Sequence, residues 1–233
     1  MAAASAEEAA ASVGAALREV GKKMNAETFF TSEEQQRIHQ AVIAAEKKTS
    51  GEIVPMVVTS SARYAEVETA GLAIGLGVGT LATFVLHDPW SWMQSQLLWP
   101  LAGAALGFAG CSVPAVKRRL ISKDRMENAV DLRSLAAFAA HGLHHTRAHT
   151  GILILISLLE HRVEVLADKG INEKVSAGTW DDIVHIITAG LKSGKACDAF
   201  CQAIEHCGEI LAEHFPRSPD DQDELANRLV TGR

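Results

Sequence analysis

The sequence predicts an α+β fold interrupted by a two-helix transmembrane hairpin. Three observations predict it. Two apolar runs without a charge, 70–86 and 97–116, sit in the middle of the 233-residue chain. Segments with helical periodicity flank them on both sides. Two stretches rich in β-branched and aliphatic residues, 52–60 and 151–168, read as strands. About 20 apolar residues span a bilayer core as a helix. The second run has 20 and the first 17, which Ala65 to Thr69 extend by a turn. Inside lipid every backbone polar group needs an internal partner, so both runs should be helical, about 66–86 and 97–116. Two buried core helices of a soluble protein are the alternative.

The flanks favour the membrane. The connecting loop, 87–96, has no Lys or Arg, whereas Lys47, Lys48 and Arg63 precede the first run. Lys117, Arg118, Arg119, Lys123 and Arg125 follow the second. Basic residues stay on the cytoplasmic side, so both termini and the globular part are expected there, at the cell (inner) membrane. Trp90, Trp92 and Trp99 cluster at the opposite end, where indole rings favour the headgroup layer. The membrane-interface residues are therefore Trp90, Trp92, Trp99, Lys117, Arg118 and Arg119. Gly71, Gly75 and Gly79 share one helix face, and Gly103 and Gly107 another, continued by Cys111. Such faces let helices approach closely in lipid. They suit packing of the two spans as a hairpin, with a homodimer through the same faces as the competing arrangement. Neither run, 70–86 or 97–116, holds a charged residue, whereas transporters and proton relays usually keep intramembrane ionisable groups.

Composition bounds the remainder. The net charge is −6, and no basic patch exists beyond the juxtamembrane Lys-Arg-Arg, so nucleic acid is not an expected partner. The N-terminus lacks a basic region followed by an apolar core, so no cleaved signal peptide is expected. Cys111, Cys197, Cys201 and Cys207 lack zinc-site spacing and read as free thiols.

Residues 1–28 form an Ala- and Glu-rich extension, disordered or loosely helical, and Met24 is an alternative start of translation. The globular domain should then occupy 29–62 and 117–215, split by the hairpin region 63–116. Thr31 or Ser32 caps a helix with Ile38, Val42 and Ala45 inward, ending near Ser50-Gly51. Pro55 places strand 52–60 at an edge or a bulge. Leu120 to about His145 reads as a helix with Met126, Val130, Leu135, Phe138 and Leu143 inward. Ile152–Leu158 and Arg162–Asp168 read as an antiparallel hairpin turning at 159–161. Thr179 caps a helix with Ile183, Ile186 and Ile187 inward. A last helix, about 195–215, carries a wide apolar face including Phe200, Ile204 and Leu211. Residues 216–233 read as a polar, acidic tail.

TSGEIVPMVV (49–58) and TGILILISLLEHRVEVLADKGI (150–171), in this order of elements, resemble the TPM domain family. The resemblance covers 31–60 and about 120–215, and its most specific positions are Gly151, Glu160, Arg162 and Gly170. It implies a small mixed β-sheet packed with helices, here in a membrane-anchored, bacterial-type member. The usual family arrangement places the domain outside the membrane, before a C-terminal span. This chain departs from that by carrying a hairpin inside the domain.

The family also includes members described as phosphatases that use acidic residues and a divalent metal. The matching candidates are Asp168, Asp181 and Asp182, which could hold a hard cation. Each also fits a helix start or a turn. No nucleophile or general acid can be assigned beside them, and no phosphate loop, serine elbow or HExxH is present. His141, His145 and His149 would share a helix face, although Gly142 and Gly151 point to a solvated helix end. The expected function is protein interaction, in assembly or maintenance of membrane complexes, with a divalent-metal-dependent phosphatase as the alternative. Expected partners are the lipid bilayer and an unidentified membrane protein. No cofactor is expected, unless the phosphatase reading supplies a divalent metal.

Overall fold

The computed structural model describes residues 25–85, 92–146, 149–176, 178–217 and 228–232. Asn25 caps the short helix α1 (Ala26–Phe29). Thr31 caps α2 (Ser32–Glu46) through a capping box: its Oγ1 accepts from Glu34 N–H at 3.2 Å, and its own N–H donates to Glu34 Oε2 at 2.8 Å. Such a cap is worth about 1 kcal/mol. Strand β1 (Glu52–Val58) follows, then α3 (Ala65–Val85), α4 (Trp92–Ser112), α5 (Pro114–Leu120) and α6 (Lys123–Ala140). A 3₁₀ turn, Leu143–His145, leads into β2 (Gly151–Ser157) and β3 (Arg162–Ala167). Helices α7 (Lys169–Asn172), α8 (Thr179–Ser193) and α9 (Ala196–His214) precede β4 (Val230–Gly232).

These elements form two compact units, one from Met1–Ser61 with Ala129–Arg233 and the other Ala62–Asn128. The first is α+β. Its mixed four-stranded sheet has the order β3-β2-β1-β4, with β1 parallel to both β2 and β4 and β2 antiparallel to β3. Strand β2 is buried along its whole length, as its unbroken aliphatic run requires. Full burial of each large side chain contributes about 1.5–3 kcal/mol. One sheet face, with Ile53, Val57, Ile152, Ile154 and Ile156, packs on α2, α8 and α9 through Ile38, Val42, Ile183, Ile187, Phe200 and Ile204. The other face, with Val54, Met56, Leu153 and Leu155, packs on Val130, Ala137 and Leu143.

Pro55 resolves into an arrangement that is half edge and half interior. Register runs unbroken from Glu52↔Gly151 to Val58↔Ser157, so β1 has no bulge against β2. Glu52 N–H donates to Thr150 O on the β2 side, whereas Ile53 N–H donates to Glu46 Oε1 and Thr59 N–H to Gly232 O. The alternation turns the Pro55 nitrogen to the β4 side. Strand β4 pairs only with Met56–Val58, so the missing donor interrupts no ladder.

Other expectations need correction. Helix α2 ends on Lys47 in right-handed conformation, and Gly51 instead lies against Leu211. Leu135 points outward, 55% exposed, while Ser134 and Ala137 take the inward positions. Gly178, in left-handed conformation, precedes α8, and Thr179 is its first residue rather than its cap. The tail is not wholly polar and irregular, because Val230–Gly232 complete the sheet. At the other end Ala26 is buried, so the segment assigned to an extension contributes to the core.

In the second unit α3 and α4 pack against each other through their glycines. A Cβ on Gly75 would run into the Gly103 carbonyl oxygen, one on Gly107 into Gly71 O, and one on Gly79 into Trp99 O. Helix α3 is by itself long and apolar enough to cross a membrane. The second run qualifies only jointly, as Gln96–Ser112 with Pro114–Leu120, which bend by 83°. Pro114 at the first position of α5 explains the break, since its ring suits a helix start and not a helix interior. A continuous second span to Val116 is thus not what forms.

Candidate functional site

Strands β1 and β2 run parallel, and their carboxyl ends meet the β2–β3 turn. The ladder continues past both strands, with Leu158 N–H on Val58 O and Leu159 N–H on Thr59 O. This folds Glu160 back, 4% exposed, over the strand ends. Its Oε1 accepts from Ser61 N–H at 3.0 Å and its Oε2 from Ser157 Oγ at 2.5 Å. Ser61 Oγ and Ser157 Oγ lie 2.8 Å apart. A buried carboxylate needs such donors. His161, at φ 54°, supplies the left-handed residue that the turn requires without a glycine.

Beside this turn opens a cleft of about 860 Å³. Phe29, Phe30, Ile156, Leu158, Val163, Leu191 and Ala196 supply its apolar lining. Phe30 stacks on Phe200 at 5.9 Å between centroids. Polar groups are few: Thr28, Glu34, Ser157, His161, Thr188 and Lys192. A concave, apolar surface with sparse polar positions suits capture of apolar side chains.

The acidic candidates serve local structure. Asp168 N-caps α7, accepting from Lys169 N–H at 2.7 Å, and its side chain is 12% exposed. His149 Nδ1 lies 3.2 Å from Asp168 Oδ2. Asp181 and Asp182 are exposed in the first turn of α8, a position that favours carboxylates. Among the described residues, no group of three His, Cys, Asp or Glu side chains is arranged to hold a metal ion. His141, His145 and His149 do not share a helix face, because α6 ends at Ala140 and Gly142 turns left-handed. Glu164 on β3 has its carboxyl pushed up by burial, with Asp131 adding to the effect.

Cys197 and Cys207 are buried free thiols, and burial pushes both up to about 12. Cys111 and Cys201 are free and half-buried. Lys117, Arg118 and Arg119 lie on α5, where Lys117 Nζ pairs with Glu68 at 2.7 Å. Trp99 is partly exposed on α4. Trp90 lies outside the described residues, as does the Trp92 side chain.

Of the positions that carried the family resemblance, Gly151 opens β2, where a Cβ would meet Leu143 O at 2.6 Å. Arg162 opens β3 opposite Ser157, and Gly170 lies within α7. A mixed four-stranded sheet with helices on both faces defines an α+β domain. Residues 118–210 match the family model described as TPM domain. The match takes in α6 through most of α9 and leaves β1 outside. The solution NMR structure of BA42 protein, from the psychrophilic bacterium Bizionia argentinensis, is similar in fold. The TM-score is 0.56 at 24% identity, covering 88% of this chain and 96% of that one. No curated protein matches the chain.

Sequence reasoning missed the cleft. Its walls come from α1, β2, β3 and the α8–α9 junction, so no local motif announces it. The signal present was the pair Phe29-Phe30 beside the Thr31 cap, two bulky apolar residues ahead of the first long helix.

Proposed function

We propose that this TPM domain is tethered to the cell (inner) membrane by the α3–α4 hairpin and works by binding other proteins during assembly or maintenance of membrane complexes. Both termini and the domain lie on the cytoplasmic side, with the uncharged 87–96 loop outside. The length and apolarity of α3 support the tether, as does the basic segment after α4. The Phe29–Phe30 cleft carries the interaction reading, because it offers a fixed apolar surface of ligand-binding size. No cofactor is needed for that role.

The second reading, a divalent-metal-dependent phosphatase, draws on the Asp168–His149 pair. One experiment separates the two. Asp168, Asp181 and Asp182 are changed together to Asn, which still caps a helix but binds hard cations less strongly. Generic phosphoester hydrolysis is then measured with Mg²⁺, Mn²⁺ or Ca²⁺, alongside capture of membrane proteins from mild detergent. The interaction reading expects no metal-dependent turnover, capture retained by the triple variant, and capture lost on Phe29→Glu. Turnover that vanishes in the triple variant would establish the phosphatase instead.

A further inference from the structure

Helix α6 is apolar on two sides. Val130, Ser134 and Ala137 face the sheet and are buried. On the other side Leu132 is 69% and Leu135 55% exposed, and Ala136 and Ala139 are exposed with them. Positions 132, 135, 136 and 139 fall on one helical stripe. Towards the N-terminus Asn128 and Arg125 continue it, both exposed. A surface helix of a water-surrounded domain would carry its polar residues there.

We propose that this stripe of α6 lies on the surface of an anionic lipid bilayer, with Leu132 and Leu135 inserted at the headgroup–acyl boundary. The proposal rests on the membrane tether proposed above. Two observations select lipid as the occupant. Between 117 and 125 the chain has five basic residues and one acid, Asp124; Lys117 pairs with Glu68 and Arg125 with Glu66, and Arg118, Arg119 and Lys123 keep a basic excess that complements anionic headgroups. Finally, two leucines and two alanines expose far less than the roughly 800 Å² per partner of a stable protein interface. A shallow apolar stripe with a basic lead suits an interfacial helix instead. The acid nearest the stripe, Asp131, lies towards Glu164 on β3 and raises the Glu164 carboxyl, which places it at the flank.

The test uses the full-length chain in vesicles of phosphatidylcholine and phosphatidylglycerol. p-Benzoylphenylalanine is placed singly at Leu135, at Leu106 in α4, or at the exposed Lys169, and photoproducts are identified by mass. The expected result is a phospholipid adduct at 135 and at 106, and none at 169. A second expectation is that the adduct at 135 drops in vesicles of phosphatidylcholine alone while that at 106 does not. An adduct at 106 with none at 135 overturns the proposal and leaves the tether standing. A protein–protein product at 135 also overturns it, in favour of a second copy of the chain. Absence of lipid adducts at both 106 and 135 removes the tether and the proposal together.

Discussion

Gly208 stands where α9 crosses α2, and a Cβ there would sit 2.6 Å from Ala45 Cβ. Both neighbours are helix backbone or its first side-chain atom, so nothing flexible can yield. Gly208→Val should cost about 1–3 kcal/mol, read as a lower urea midpoint with an unchanged slope. Next to it, Cys207 is fully buried and its thiol is pushed from 9.0 to about 12. Above pH 9 the unfolded chain releases this proton while the folded chain keeps it. Stability from this group is therefore complete below about pH 9 and falls as pH rises towards 12, by at most about 1.4 kcal/mol per pH unit. Urea titrations should show a shallower alkaline decline in Cys207→Ala than in the parent chain. At this scale the sequence was partly legible. The Thr31–Glu34 box has a fixed spacing and local partners. The need for Gly208 depends on Ala45, 163 positions away, and no local pattern carries it.

Elements were legible where one periodicity dominated. The aliphatic run of β2, the alternation of Val163, Val165 and Ala167, and the inward isoleucines of α8 all kept their faces. Helix α6 is apolar on both sides, so periodicity set Val130 and Phe138 inward correctly but placed Leu135 with them, where Ser134 and Ala137 take the inward positions. Strand β4 escaped because three residues, Val-Thr-Gly, are too few for a pattern, and parallel pairing with β1 supplies what they lack. The helical pair in the second unit makes its own prediction. Gly75→Leu places a branched side chain against the Gly103 carbonyl, whereas Gly77, which meets nothing within 4 Å, tolerates the same change. Thermal unfolding in detergent should separate the two, with only Gly75→Leu lowering the transition.

The whole molecule consists of a domain and an insertion that divide the contacts between them. Strand β1 pairs with β2 across the insertion, and long insertions add little closure entropy. Replacing 66–116 by a short flexible linker should therefore give a folded protein that remains in solution without detergent. Near-native secondary structure by circular dichroism and a cooperative urea transition would check this, and aggregation on expression would count against it. The split domain was readable because strand 52–60 alone has no partner, which forces pairing with something distant. The cleft was not, since four separate segments build it. The carboxylates show the converse, for Asp181 and Asp182 were legible as a helix start and Asp168 as a turn residue, because each role depends on local sequence alone.

The parallel pairing of β1 also has a consequence in time. During synthesis β1 is finished 93 residues before β2 begins, as 151 − 58 gives. At typical elongation speeds that interval is roughly 5 to 20 s. Throughout it a seven-residue strand, destined for full burial, has neither of its neighbours, while two apolar helices emerge behind it. Exposed strand edges of this kind recruit other chains. Early capture of the emerging helices would anchor each nascent chain apart from its fellows, so the insertion would protect the domain that it interrupts.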